Sequence, residues 1–151
     1  MVEVAIEIPR WSFLKRGSSG AIDFVSPLPC PFNYGAVPGL LGLEGDLLDA
    51  LVLGPRLPLG SRHRVPAWGA IILVDRGMMD HKLVCSAEPP SATQLQAVQR
   101  FFAFYALAKS LLNRFRGQTG RHACDGWCTA ESALALARPK PGDWRGPGIR
   151  F

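Results

Sequence analysis

Between residues 4 and 86 the apolar residues come in short runs, each closed by a turn rich in proline or glycine, and that punctuation favours strands over long helices. Val4 to Ile8 ends at Pro9. Lys15 to Gly20 reads as a tight turn into a second strand over residues 21–25. Pro27, Pro29 and Pro31 force an extended, irregular segment up to Asn33-Tyr34-Gly35. Further strands are expected over Asp49–Leu53, Trp68–Asp75 and Lys82–Ser86, with a turn at Arg76-Gly77. Several short strands at this spacing suggest a small closed barrel.

The last third changes character. Leu95, Val98, Phe102, Tyr105 and Leu112 recur at helical steps, which predicts one helix over residues 93–115, with Ser91 as N-cap and Gly117 as terminator. A second helix is expected from near Thr129 through Leu136, stopping before Pro139. Residues 1–138 therefore read as a single domain, and residues 139–151 as a Pro/Gly-rich tail without regular structure. The chain is 48% hydrophobic, which fills one core and excludes whole-chain disorder. No apolar stretch approaches the ~20 residues of a membrane-spanning helix. Glu3 and Glu7 stand where a leader peptide would carry a basic start and an apolar run, so the expected location is the cytoplasm. The four cysteines are expected as thiols, and the spacing of His122, Cys124 and Cys128 fits no usual zinc pattern. The net charge of +5 comes from scattered arginines rather than a basic stripe with aromatics, which argues against a nucleic-acid partner. His63, His81 and His122 read as surface residues.

The acids are less scattered. Leu43-Glu44-Gly45-Asp46-Leu47-Leu48-Asp49 places three carboxylates in six positions around a glycine, and Asp75 and Asp80 follow in a second turn with Lys82 behind. Five of twelve acids thus fall between residues 44 and 80 of a basic chain. Crowded carboxylates repel unless protons or cations hold them, and hard oxygen ligands suit Mg²⁺ or Mn²⁺. Taken alone, Tyr34 and Tyr105 read as packing residues, and Lys82 as a solvated one.

These residues resemble the family I (soluble) inorganic pyrophosphatases. Glu44-Gly45-Asp46-Leu47-Leu48-Asp49, followed by the apolar Ala50 to Leu53, is similar to that family's acidic motif. Ile6-Glu7-Ile8-Pro9-Arg10 with Lys15, Pro31-Phe32-Asn33-Tyr34-Gly35, Asp75 through Lys82, Phe101 to Tyr105, and Asp125-Gly126-Trp127 resemble further family segments, in the family's order. The resemblance implies a mainly β fold with α: a five-stranded, OB-like closed barrel with two C-terminal helices packed on it. It implies Mg²⁺-dependent hydrolysis of pyrophosphate, with Mn²⁺ as a substitute, in a homo-oligomer that is hexameric among bacterial members. Asp46 would be the general base. Glu44, Asp49, Asp75 and Asp80 would hold metal, with Glu7 supporting the outer ion, and Lys15, Tyr34, Lys82 and Tyr105 would hold phosphate.

The chain departs from the pattern at several cationic positions. It has no arginine between Arg16 and Arg56, where the family carries a phosphate-gripping one, and Ile22 or Phe24 fills the place. Gly17 and Ala106 stand where the family has Glu and Lys, and Glu44 and Leu47 where Asp and Pro are usual. Arg10 and Arg16 flank Lys15 and are candidates to compensate. The sequence leaves three readings open: a pyrophosphatase with a modified or weakened grip, a hydrolase of another phosphoanhydride, and a non-catalytic metal- or phosphate-binding homologue.

Overall fold

A computed structural model of the chain describes residues 1–16, 22–25, 29–115, 117 and 120–146. Its strands are β1 (Val2–Ile8), β2 (Leu14–Arg16), β3 (Ile22–Val25), β4 (Asn33–Leu41), β5 (Leu47–Val52), β6 (Arg62–Val65), β7 (Ala67–Asp75), β8 (Met78–Cys85), β9 (Ala123–Cys128) and β10 (Arg138–Pro139). Helix α1 spans Ala92–Phe115 and α2 spans Ala130–Leu136. Strands β2 and β3 pair only with each other, and the expected turn between them, with Gly17, lies outside the described residues.

The main sheet runs β6-β1-β4-β5-β8-β7-β9, with β10 beside β4. Strands β1, β4, β5, β7 and β8, taken in chain order as one to five, lie in the order 1-2-3-5-4, all antiparallel except the β5–β8 pair. That is the expected mainly β fold with two helices. Among the described residues the strand path does not return from β9 to β6, and β6, β9 and β10 extend the sheet beyond five strands.

Alternation along the strands sorts the core into two layers. Leu48, Ala50 and Val52 point into one layer, with Val4, Ile6, Leu83 and Ala133 of α2. Leu51 and Leu53 point into the other, with Ile71, Val84, and Val98 and Phe102 of α1. The helix ends follow the expected chemistry. Ser91 and Gln94 exchange side-chain-to-backbone hydrogen bonds of 2.8 and 3.2 Å, a capping box that starts α1. The Thr129 side chain accepts the Ser132 N–H at 3.1 Å and starts α2.

Three expectations change. Asn33-Tyr34-Gly35, expected as the end of an irregular segment, instead opens a nine-residue strand. Pro38 is accommodated because the ladder to β5 breaks between Val37 and Leu41, so its missing N–H removes no sheet bond. Gly35 lies against Ala5, whose carbonyl oxygen would be 1.9 Å from any added Cβ, so only glycine permits β1 and β4 to approach there. Next, β8 begins at Met78: Arg76 and Gly77 have φ of 52° and 81°, and the turn between β7 and β8 is a tight hairpin of the two-residue, positive-φ kind. Finally, the tail has structure. Arg138 and Pro139 pair with Leu41 and Leu40, and the Trp144 indole N–H donates to the Gly45 carbonyl at 3.2 Å, strapping residues 138–144 across the acidic loop.

Candidate active site

Strand register assembles the charged residues. Tyr34 of β4 faces Leu51 and Ala36 faces Asp49, so Tyr34 and Asp49 are diagonal neighbours on one sheet face. Ala50 pairs with Leu83 in the parallel β5–β8 ladder, which places Asp49 beside Lys82 one step back. Asp80 and Lys82 are two apart on β8 and share that face. The Tyr34 hydroxyl donates to Asp49 Oδ2. Lys82 Nζ donates to Asp49 Oδ2 at 2.5 Å, to Asp80 Oδ2 at 2.9 Å and to the Tyr34 hydroxyl at 3.0 Å. These contacts use all three ammonium protons. Glu44, on the Gly42–Asp46 turn, completes the group: Glu44, Asp49 and Asp80 each offer an oxygen within 4.8 Å of the others.

The group is charged and mostly buried. Burial, with Asp80 and Asp49 nearby, pushes Glu44 up to about 8. Burial also raises Asp80, against the pull of Lys82. Burial raises Tyr34 well above its ordinary value, with Asp49 adding to it, so Tyr34 is a neutral donor. Burial works against the charge on Lys82, but Asp49 and Asp80 outweigh it and keep the ammonium charged. Three acids against one ammonium leave an excess of negative charge, here relieved by protons on carboxylates. A divalent cation relieves it better, so the donor set fits a hard metal ion.

A stability prediction follows. Glu44 and Asp80 have folded values above their unfolded ones, so the folded state binds more protons, and its stability declines as pH rises through about 4.5 to about 8. Lys82 titrates far above this window. The melting temperature in chelator is expected to fall across that range, and millimolar Mg²⁺ to flatten the fall. A chelated melting temperature that is level or rises over the range contradicts the assignment.

The remaining site residues divide. Asp46 sits beside Glu44, its Oδ1 accepting the Leu47 N–H at 2.7 Å. Asp75, at the end of β7, is not one of the three clustered acids. Its Oδ2 is paired with Lys109 of α1, and its Oδ1 lies 3.0 Å from His122 Nδ1. Glu7 lies at the bulge of β1, next to Ile8, which pairs with Tyr34. Tyr105 of α1, Asp75, Asp80 and Lys109 line one hollow, while Glu44, Asp49 and Asp80 line another, so Asp80 borders both. The side chains of Lys15, Arg16, Ile22 and Phe24 lie outside what is described.

Two histidines differ from the reading of them as surface residues. His81 is buried, and burial lowers its pKa. The His122 side chain is 2% exposed and sits between Asp75 and Asn113, whose Nδ2 lies 2.7 Å from Nε2. Pairing of Val74 with Ala123 brings His122 to Asp75, a contact across some fifty residues that local spacing does not reveal. Lys109 was missed for the same reason. Arg10 does not face the carboxylates: its guanidinium donates to the Gly54 carbonyl at 2.9 Å and lies 5.4 Å from the Trp11 ring centroid.

A mainly β sheet flanked by two helices, with a carboxylate cluster that could hold a metal ion, defines the class. The chain belongs to the inorganic pyrophosphatase family, whose sequence pattern matches residues 4–135. An inorganic pyrophosphatase of Gluconobacter oxydans is 36% identical over 92 residues, covering 56% of this chain and 53% of that protein. A soluble inorganic pyrophosphatase of Oryza sativa is 31% identical over 120 residues, 66% of this chain and 56% of that protein. The chain spans about half to two thirds of the length of the curated relatives it matches. Among solved structures, the Helicobacter pylori inorganic pyrophosphatase superposes with a TM-score of 0.71 at 28% identity, covering 89% of this chain and 87% of that one. The Thermus thermophilus enzyme gives 0.70 at 26%, covering 89% and 86%.

Proposed function

We propose that this chain hydrolyses inorganic pyrophosphate to two phosphates with Mg²⁺, Mn²⁺ serving as a substitute. The observation that carries the reading is the Glu44–Asp49–Asp80 group around Lys82, in a chain of this family. Glu44, Asp49 and Asp80 would hold metal directly, with Asp75 and Glu7 at the edge of the site. Bound there, divalent ions neutralise substrate charge and lower the pKa of a bound water. Asp46, exposed enough to meet solvent beside Glu44, is the base that takes the proton of the attacking water. Lys82 fixes the orientation of Asp49 and Asp80 in the metal-free cluster; with those carboxylates on metal, Lys82 and Tyr34 would turn their donors to phosphate oxygens, with Tyr105 and Lys15.

A second reading is favoured by Ala106. Buried on α1 beside the site, it offers no cation where the family has lysine, which suits a hydrolase of another phosphoanhydride or a weakened binding homologue. Phosphate release from pyrophosphate, tripolyphosphate and a nucleoside triphosphate, each with Mg²⁺, separates the cases. Pyrophosphate is expected to be the fastest. A higher rate on another anhydride replaces the substrate assignment, and no release from any of them favours the binding homologue.

We also assign the chain to a cytoplasmic homo-oligomer. Among the described residues no helix is long and apolar enough to cross a membrane. Phe104, Leu107, Leu111 and Phe115 form an exposed apolar stripe along α1, at steps of three or four residues. A second copy of the chain is the proposed cover. Leu107→Glu with Leu111→Glu is expected to lower the mass measured by light scattering to that of one chain. An unchanged mass removes α1 from the interface.

A further inference from the structure

We propose that Lys109 is a substrate-binding residue, the α1-side cation that grips a phosphoryl group. The inference rests on the phosphoanhydride reading above and extends it to a residue that sequence spacing does not mark.

Helical side chains lean toward the N-terminus, over the preceding turn. Lys109 accordingly reaches back past Ala106, three residues earlier, to Tyr105, four residues earlier, and its Nζ lies 6.0 Å from the Tyr105 ring centroid. All three residues line the hollow that Asp75 and Asp80 border. Ala106 contributes only a methyl group, which leaves the long stem of Lys109 room over the helix. Its side chain is 30% exposed and lines the hollow, so it is not sealed away with Asp75.

The other described cations near the site are committed elsewhere. Lys82 is 7% exposed and spends its three donors on Asp49, Asp80 and Tyr34. Arg10 is bound to the Gly54 carbonyl, and Lys140 lies over the Trp144 ring. Lys109 has one anchor in the site, the Oδ2 of Asp75. Asp75 keeps a neighbour when that anchor is released. Asn113 Nδ2 lies 2.7 Å from His122 Nε2, and His122 Nδ1 lies 3.0 Å from Asp75 Oδ1, although neither of these last two buried atoms has a hydrogen-bond partner among the described residues. A polyanion entering the hollow therefore finds an ammonium on a long side chain that can turn from Asp75 to a phosphate oxygen, with His122 still beside Asp75.

The probe is methylenediphosphonate, a pyrophosphate analogue without a hydrolysable bridge, titrated calorimetrically in Mg²⁺ against the wild-type protein, Lys109→Ala, Lys109→Gln and Lys109→Arg. A charge-assisted contact of this kind predicts about 10- to 100-fold weaker analogue binding in Lys109→Ala and Lys109→Gln. Lys109→Arg is expected to restore most of the affinity, and Mg²⁺ binding without analogue to be undiminished in all variants. Lys109→Gln keeps a polar donor at the position without the charge, so with a melting-temperature control it separates loss of charge from loss of folding. Analogue affinity equal to wild type in Lys109→Gln overturns the proposal, as does a loss matched by weaker Mg²⁺ binding and not restored by arginine, which makes Lys109 a countercharge to Asp75. A wild-type protein that binds no analogue also overturns it. A wild type that binds analogue through Lys109 but releases no phosphate from pyrophosphate instead overturns the hydrolytic reading and leaves the grip standing.

Discussion

Lys82→Ala is expected to destabilise the metal-free protein by about 3–5 kcal/mol, the range for removing one partner of a buried ion pair. Among the described residues Lys82 is the single ammonium bound to the Glu44–Asp49–Asp80 group, and its side chain and those of Asp49 and Asp80 are 7%, 13% and 12% exposed. Its removal leaves two carboxylates and the Tyr34 hydroxyl with unmatched contacts in a poorly solvated pocket. Protons relieve the repulsion, so the loss should shrink as pH falls. A divalent cation should relieve it as well, and urea denaturation with and without Mg²⁺ measures both effects. A loss below about 1 kcal/mol at neutral pH in chelator means that Lys82 does not hold the cluster together.

The second large effect is chemical. Asp46→Asn is expected to lower the turnover of pyrophosphate by about 10²–10⁴, the usual worth of a positioned general base. The substitution keeps the shape of the side chain and an oxygen for the Leu47 N–H. Asp46 is not one of the three clustered acids, so Mg²⁺ affinity should change little. Turnover equal to wild type removes Asp46 from the role, and a parallel loss of Mg²⁺ binding makes it a metal ligand instead.

The parts of this site that local spacing sets were legible. Glu44, Asp46 and Asp49 lie within one turn and strand, and Asp80 and Lys82 alternate on another, so their order alone brings the acids to one end of a sheet. The helix ends were equally plain, because Ser91, Gly117, Thr129 and Pro139 are local signals. What escaped was set by register. The Tyr34–Asp49 contact depends on how β4 meets β5, and the reach of Lys82 to Asp49 on a parallel pairing between distant strands. His122 and Lys109 converge on Asp75 only because β9 and α1 return to β7. Strand β6, Arg-His-Arg-Val, is too short and too polar to stand out, and β9 is interrupted by Gly126 at φ 105°. The strap at Trp144 was hidden by tail composition, since proline and glycine say little about what an indole N–H will find.

The most direct test is phosphate release from pyrophosphate by metal-stripped protein as Mg²⁺ is added back. The account predicts no release in chelator, a rate that rises and saturates with Mg²⁺, and two phosphates formed for each pyrophosphate consumed. A folded protein that releases no phosphate at millimolar Mg²⁺, or one whose rate ignores the metal, contradicts it.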